Sequence, residues 1–93
     1  MKTIKRVKIK PIFVESIPEK IEENIFYIAE QYKAVIHKCL CGCGERISTP
    51  INKDGWTLIK KTEDKISLTP SIGNFYLPCK SHYIVSDNMA NFV

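Results

Sequence analysis

No apolar run in this 93-residue sequence approaches the roughly 20 residues that span a bilayer. The first residues contain no apolar stretch of the kind a signal peptide needs, because lysines interrupt them. That sets the expectation of a cytoplasmic protein. Arginine is scarce, with only Arg6 and Arg46. A nucleic-acid groove usually interleaves arginines and aromatics with its lysines, so this scarcity argues against such a partner. There is no His-Glu-x-x-His pair for a zinc protease and no Gly-x-Ser-x-Gly nucleophile elbow. Internal repeats and low-complexity linkers are missing too. The length itself excludes a two-domain enzyme with a cleft between halves. It predicts one domain, residues 1–93, with one modest core.

What is present is ordinary in bulk and unusual in detail. Hydrophobic residues at 44% and charged residues at 26% fit a folded chain and not a disordered one. The net charge of +4 is local. Lys2, Lys5, Arg6, Lys8 and Lys10 crowd the start, and the remainder carries nine basic against ten acidic residues. Four cysteines, Cys39, Cys41, Cys43 and Cys79, accompany only two histidines, His37 and His82. In a reducing cytoplasm such a set points to metal more than to disulfides.

Hydrophobic patterning predicts a β-rich chain. Residues 6–14 alternate at first, with Val7 and Ile9 on one face and Arg6, Lys8 and Lys10 on the other, as in a half-buried strand with a basic outer face. Pro11 marks an edge or a bend. Residues 18–36 fit either an amphipathic helix or two short strands around a turn at 30–33, and the β-branched and aromatic runs favour strands. Residues 46–49 form a short strand stopped by Pro50. Asp54-Gly55 closes a turn. Residues 56–59 and 65–68 form a hairpin. Residues 70–74 are read as a loop, residues 83–85 as a strand, and 89–93 as a frayed tail or last short strand. The expected fold is a small zinc-stabilised domain of short antiparallel strands and hairpins, α+β if residues 18–36 are helical.

The chemistry lies in two segments, His37-Lys38-Cys39-Leu40-Cys41-Gly42-Cys43-Gly44 and Cys79-Lys80-Ser81-His82. Structural zinc takes four thiolate or imidazole ligands in a tetrahedron, usually from two chain segments. Cys39, Cys41, Cys43 and Cys79 would supply four thiolates, and His82 could replace one of them. Alternate residues of an extended strand stand about 6.7 Å apart, slightly far for one ion. Gly42 and Gly44 therefore predict a turn that gathers the sulfurs. Thiolate-rich ligation favours a closed structural site over a catalytic one. With four cysteines on the metal, His37, His82 and Ser81 would remain beside it, with Ser71 in the 70–74 loop. A serine becomes a nucleophile only with a base in hydrogen-bond reach. Asn74, Asp54 and Asp87 are candidates to orient a histidine.

The set His-x-Cys-x-Cys-Gly-Cys-Gly, then Pro-Ser-Ile-Gly-Asn, then Pro-Cys-x-Ser-His-Tyr, with Trp56 and Leu68-Thr69-Pro70, resembles a bacterial family of unknown function. Its members are often encoded beside ubiquitin-like, E1-like and E2-like proteins of conjugation operons, some linked to antiviral defence. The resemblance implies a peptidase that processes or removes the ubiquitin-like protein. In that case Ser81 is the first choice of nucleophile with Ser71 behind it. His37 would be the base, and His82 either base or fourth zinc ligand. The alternative is a non-catalytic zinc-binding adaptor that recruits the ubiquitin-like protein or its E1/E2 enzymes, its basic arm meeting an acidic partner surface.

Overall fold

The computed structural model describes residues 5–62 and 64–93, so Lys2 of the basic arm lies outside it. Among the described residues nine strands form two sheets. They are β1 (Arg6–Lys8), β2 (Lys10–Phe13), β3 (Ile25–Ala29), β4 (Ala34–Lys38), β5 (Arg46–Pro50), β6 (Thr57–Thr62), β7 (Lys65–Gly73), β8 (His82–Ser86) and β9 (Met89–Phe92). The five-stranded sheet has the order β1-β9-β8-β7-β6, and the four-stranded sheet β2-β3-β4-β5. Pairing is antiparallel throughout both sheets except between β2 and β3. The fold is β-rich, as the patterning predicts. The only helical element among the described residues is a single 3-10 turn at Glu30–Tyr32.

The strand reading of residues 18–36 holds, and the reason is burial on two sides. Phe26 and Ile28 of β3 face the core between the sheets, while Tyr27 packs with Ile21 and Ile36 on the opposite face. A strand covered on both faces reads as a continuous apolar run, which mimics a buried helix in the sequence. The cover on the outer face is the crossover at residues 14–24 that joins the parallel pair β2 and β3. Tyr27 fastens it by accepting the Glu22 N–H at 2.9 Å.

The basic segment is two strands rather than one. The chain changes sheets at the buried Ile9, so β1 edges one sheet and β2 the other. Pro11 is tolerated because β2 is an edge strand with one side unpaired. Between β8 and β9, Asp87 and Asn88 have φ of 48° and 65°, the primed turn geometry that matches strand twist.

The expected loop at 70–74 differs in one instructive way. Strand β7 continues to Gly73, but its pairing with β8 is interrupted. Leu68 faces Val85 and Ile72 faces Tyr83, so Thr69, Pro70 and Ser71 stand opposite Ile84 alone. This is a bulge, where a proline's missing N–H costs no ladder bond. Proline and glycine read as loop punctuation in the sequence. Here they mark a kinked strand whose extra residues are pushed out of register.

Candidate functional site

Period-two alternation along β4 places His37 in the core. The face that buries Val35 also carries His37 and, just past the strand, Cys39. The chain then reverses through a glycine turn, with Gly42 at φ 93° and Gly44 at φ 85°. Cys39 N–H donates to the Glu45 carbonyl at 2.8 Å, and Gly42 N–H to the Cys39 carbonyl at 3.2 Å. These left-handed positions curl the segment so that Cys39, Cys41 and Cys43 converge. Cys79 arrives from the connection between β7 and β8. That connection is closed at its base by the Asn74 N–H on the Ser81 carbonyl at 2.8 Å.

The four cysteine sulfurs lie within 4.8 Å of one another and form no disulfide. Cys39 Sγ is 3.4 Å from Cys41 Sγ and 3.7 Å from Cys79 Sγ, and Cys43 Sγ is 3.8 Å from Cys79 Sγ. Sulfurs bound tetrahedrally at about 2.3 Å from one ion stand roughly 3.8 Å apart, so the donor set has the size of a metal site. The thiols are electrically unequal. Hydrogen bonds from the Ser81 hydroxyl and N–H pull Cys79 down to about 6, whereas burial and the Cys39 thiol push Cys41 up to about 12. A bound cation would favour every thiolate at once. These residues can hold a metal ion.

Behind the sulfurs runs a buried polar chain. Ser81 is 7% exposed, and its Oγ lies 3.0 Å from Cys39 Sγ and 3.5 Å from Cys79 Sγ. Asn74 Nδ2 donates to Ser81 Oγ at 2.9 Å and is shared with the Tyr83 hydroxyl at 3.3 Å and Cys39 Sγ at 3.8 Å. The Tyr83 hydroxyl in turn meets His37 Nε2 at 2.6 Å. Phe26 stacks on the His37 ring with centroids 4.1 Å apart. His37 is fully buried, and desolvation lowers it to about 3, so it is neutral. Its Nδ1 has no hydrogen-bond partner.

The other histidine stands elsewhere. On β8, Tyr83 and Val85 point into the core, so His82 and Ile84 point outward. Ser71, on the outer side of the β7 bulge, meets His82 there. Ser71 Oγ and His82 Nε2 are 2.7 Å apart, and both residues are half-buried. Trp56 Nε1 donates to the Ser71 carbonyl at 3.3 Å, and the Phe75 ring abuts the His82 ring edge-on at 5.2 Å.

Residues 13–93 match the family described as bacterial ubiquitination-like system serine protease (BubE). The chain belongs to this family. No curated protein and no solved structure matches it. A BubE chain named for serine protease chemistry needs one serine beside one base. Of its six serines, Ser71 is the one whose hydroxyl contacts a histidine nitrogen among the described residues. The sequence residues thus separate into two groups. Cys39, Ser81 and His37 are buried, with Cys41, Cys43 and Cys79 reaching from Cys39 toward the surface, and Ser71 and His82 pair on the outer face of β8. Asn74 serves Ser81 and Tyr83 instead of a histidine. Asp87 accepts the Ser67 hydroxyl at 3.3 Å, and the Asp54 N–H donates to Asn52 in a turn at 2.9 Å. Sequence reasoning missed Tyr83 as the partner of His37, and Phe75 and Trp56 as neighbours of the pair. Trp56 was visible only as part of the family resemblance.

Proposed function

We propose that this BubE-family chain is a serine peptidase acting on the C-terminal segment of a ubiquitin-like protein, with Ser71 as nucleophile and His82 as general base. The observation that carries this reading is the 2.7 Å contact between Ser71 Oγ and His82 Nε2 on an outward-facing bulge. In the acylation step Ser71 Oγ bonds to the scissile carbonyl carbon while His82 Nε2 takes the hydroxyl proton. Collapse of the tetrahedral adduct breaks the C–N bond, and His82 returns that proton to the leaving amine. Water then attacks the ester with His82 again as base, which releases the acid and restores Ser71.

Ser81 and His37, the first choices from sequence, fit a different role. Ser81 is buried against sulfur, and His37 has its Nε2 engaged by Tyr83. A base held near 3 is also a poor match to neutral-pH proton transfer. We assign Cys39, Cys41, Cys43 and Cys79 to one structural Zn2+, which would tie residues 1–93 into a single domain in a reducing cytoplasm. With four thiolates the ion would have no open position for water, so its contribution would be folding and placement. The exposed cations Lys5, Arg6, Lys8 and Lys10 along β1 and β2 support an acidic partner surface on the ubiquitin-like protein or its E1/E2 enzymes.

The test is cleavage. Zinc-loaded protein is mixed with the ubiquitin-like protein carrying a C-terminal extension, and products are weighed by mass spectrometry. Wild type and Ser81→Ala should cleave, and Ser71→Ala and His82→Ala should not. Cleavage that survives Ser71→Ala would overturn the assignment. Binding without any cleavage by wild type would favour the adaptor.

A further inference from the structure

Among the described residues no carboxylate hydrogen-bonds to His82, and its only side-chain hydrogen bond is to Ser71. In a Ser-His pair something must hold the imidazole in the orientation that accepts the proton, because rotation about the last histidine torsion is intrinsically soft. The element that occupies this role here is apolar. Gly73 pairs directly with His82 across the sheet, at the position where a side chain would ordinarily stand beside the imidazole. Phe75 takes that place instead. A methyl group on Gly73 would lie 2.5 Å from Phe75 Cε2 and 3.1 Å from Cδ2, so the ring lies directly over the glycine. From there it meets the His82 ring at 5.2 Å and 62°, within the edge-to-face range of aromatic pairs. Gly73 does not need its backbone freedom, since its φ is one that any residue adopts. Its requirement is space.

The residue between them explains how the ring is aimed. Asn74 is 1% exposed, its N–H is on the Ser81 carbonyl, and its side-chain amide is held by Ser81, Tyr83 and Cys39. Asn74 is therefore fixed from the thiol side, and Phe75 leaves it toward the outer face. We infer that Phe75, seated in the slot left by Gly73, is a positioning residue that fixes the His82 imidazole against Ser71 in the place of a triad carboxylate. This rests on the Ser71–His82 reading of the site.

The experiment is a double-mutant cycle of Phe75→Ala and Gly73→Ala, with Phe75→Tyr as the conservative control. Phe75 is 62% exposed and Gly73 has ordinary φ, so each variant should keep its zinc content and melting temperature. Phe75→Ala should lower kcat by on the order of 10- to 100-fold without raising KM, the scale of a misplaced catalytic group. Gly73→Ala should do nearly the same, because its methyl displaces the ring. The double variant should lose no more than Phe75→Ala alone, since both changes remove one contact. Phe75→Tyr should retain activity. Labelling of Ser71 by a fluorophosphonate probe should fall in the same order. A double variant that loses the product of the two single effects would overturn the inference. So would a loss confined to KM, which would make Phe75 a substrate contact. If the probe does not react with Ser71 in wild type, the Ser71–His82 reading itself fails and this inference falls with it.

Discussion

His37 and His82 are the two histidines of the chain, one on β4 of the four-stranded sheet and the other on β8 of the five-stranded sheet. His37 looks into the core between the sheets. It is stacked under Phe26, bonded to Tyr83, and kept neutral by burial. His82 looks outward and meets a half-buried serine hydroxyl. Their serines divide in the same way, Ser81 against sulfur and Ser71 against imidazole. The adjacent residues His82 and Tyr83 carry both roles, because neighbouring side chains of a strand leave on opposite faces. One strand thus serves a buried polar network with its inner face and the proposed Ser71–His82 pair with its outer face. The two sides should respond differently to perturbation, stability on one and turnover on the other.

The largest effect should come from breaking the sulfur cluster. Structural zinc in small domains contributes apparent free energies of roughly 10 kcal/mol or more, so its removal should unfold the chain and abolish activity together. Chelation and Cys39→Ser, followed by circular dichroism and elemental analysis, check this. One zinc per chain is the expected stoichiometry, and a metal-free folded protein would refute the structural role. Next in size is Ser71→Ala. Turnover should fall by about 10^4-fold or more, as for loss of a serine nucleophile, while the melting temperature stays put. Its mirror on the inner face is Ser81→Ala. That change should cost about 1 kcal/mol of stability, because the Asn74 amide loses its shortest hydrogen bond but keeps Tyr83, and leave turnover per folded molecule intact. Denaturant melts and active-site titration of the two variants decide whether the faces are separable.

The inner face was largely legible in the sequence, and the outer face was not. Three cysteines in five residues can converge through a local turn, and Gly42 and Gly44 at positive φ are that turn. The strands showed themselves through period-two burial or, for Ile25–Ala29, through an apolar run that two-sided burial explains. The pairing of Ser71 with His82 depends on register. It needs residues 69–71 to bulge opposite Ile84, and Pro70 and Gly73 make the same residues look like a loop. Adjacency was also misleading. Ser81 precedes His82 in the sequence, yet its side chain is buried with the sulfurs while His82 faces out. Tyr83 stood in the sequence only as the end of the Pro-Cys-x-Ser-His-Tyr motif, and its contact with His37 could not be read there, since a tyrosine within a strand reads as core.

Tyr83→Phe separates the faces more finely. The missing hydroxyl leaves His37 Nε2 unpaired in the core and removes one acceptor from Asn74. A buried polar group without a partner costs about 1–3 kcal/mol, so thermal stability should drop while kcat for the folded fraction holds. An unchanged melt with reduced kcat would mean that the buried chain governs the outer pair.

The smallest effect should belong to Trp56→Phe, which probes the side-chain hydrogen bond to the bulge at Ser71. Trp56 Nε1 holds the Ser71 carbonyl at 3.3 Å, and phenylalanine keeps most of the ring packing without the donor. The bond is long and between neutral groups, so its net worth is about 1 kcal/mol or less. If that energy serves only folding, the melting temperature falls slightly and turnover is constant. If it holds Ser71 Oγ on His82 Nε2, kcat falls a few-fold at nearly constant KM, because a carbonyl released from Trp56 lets the bulge relax along the strand. The second outcome is expected, since the bulge has no ladder partner of its own at Ser71 and Trp56 supplies the missing restraint.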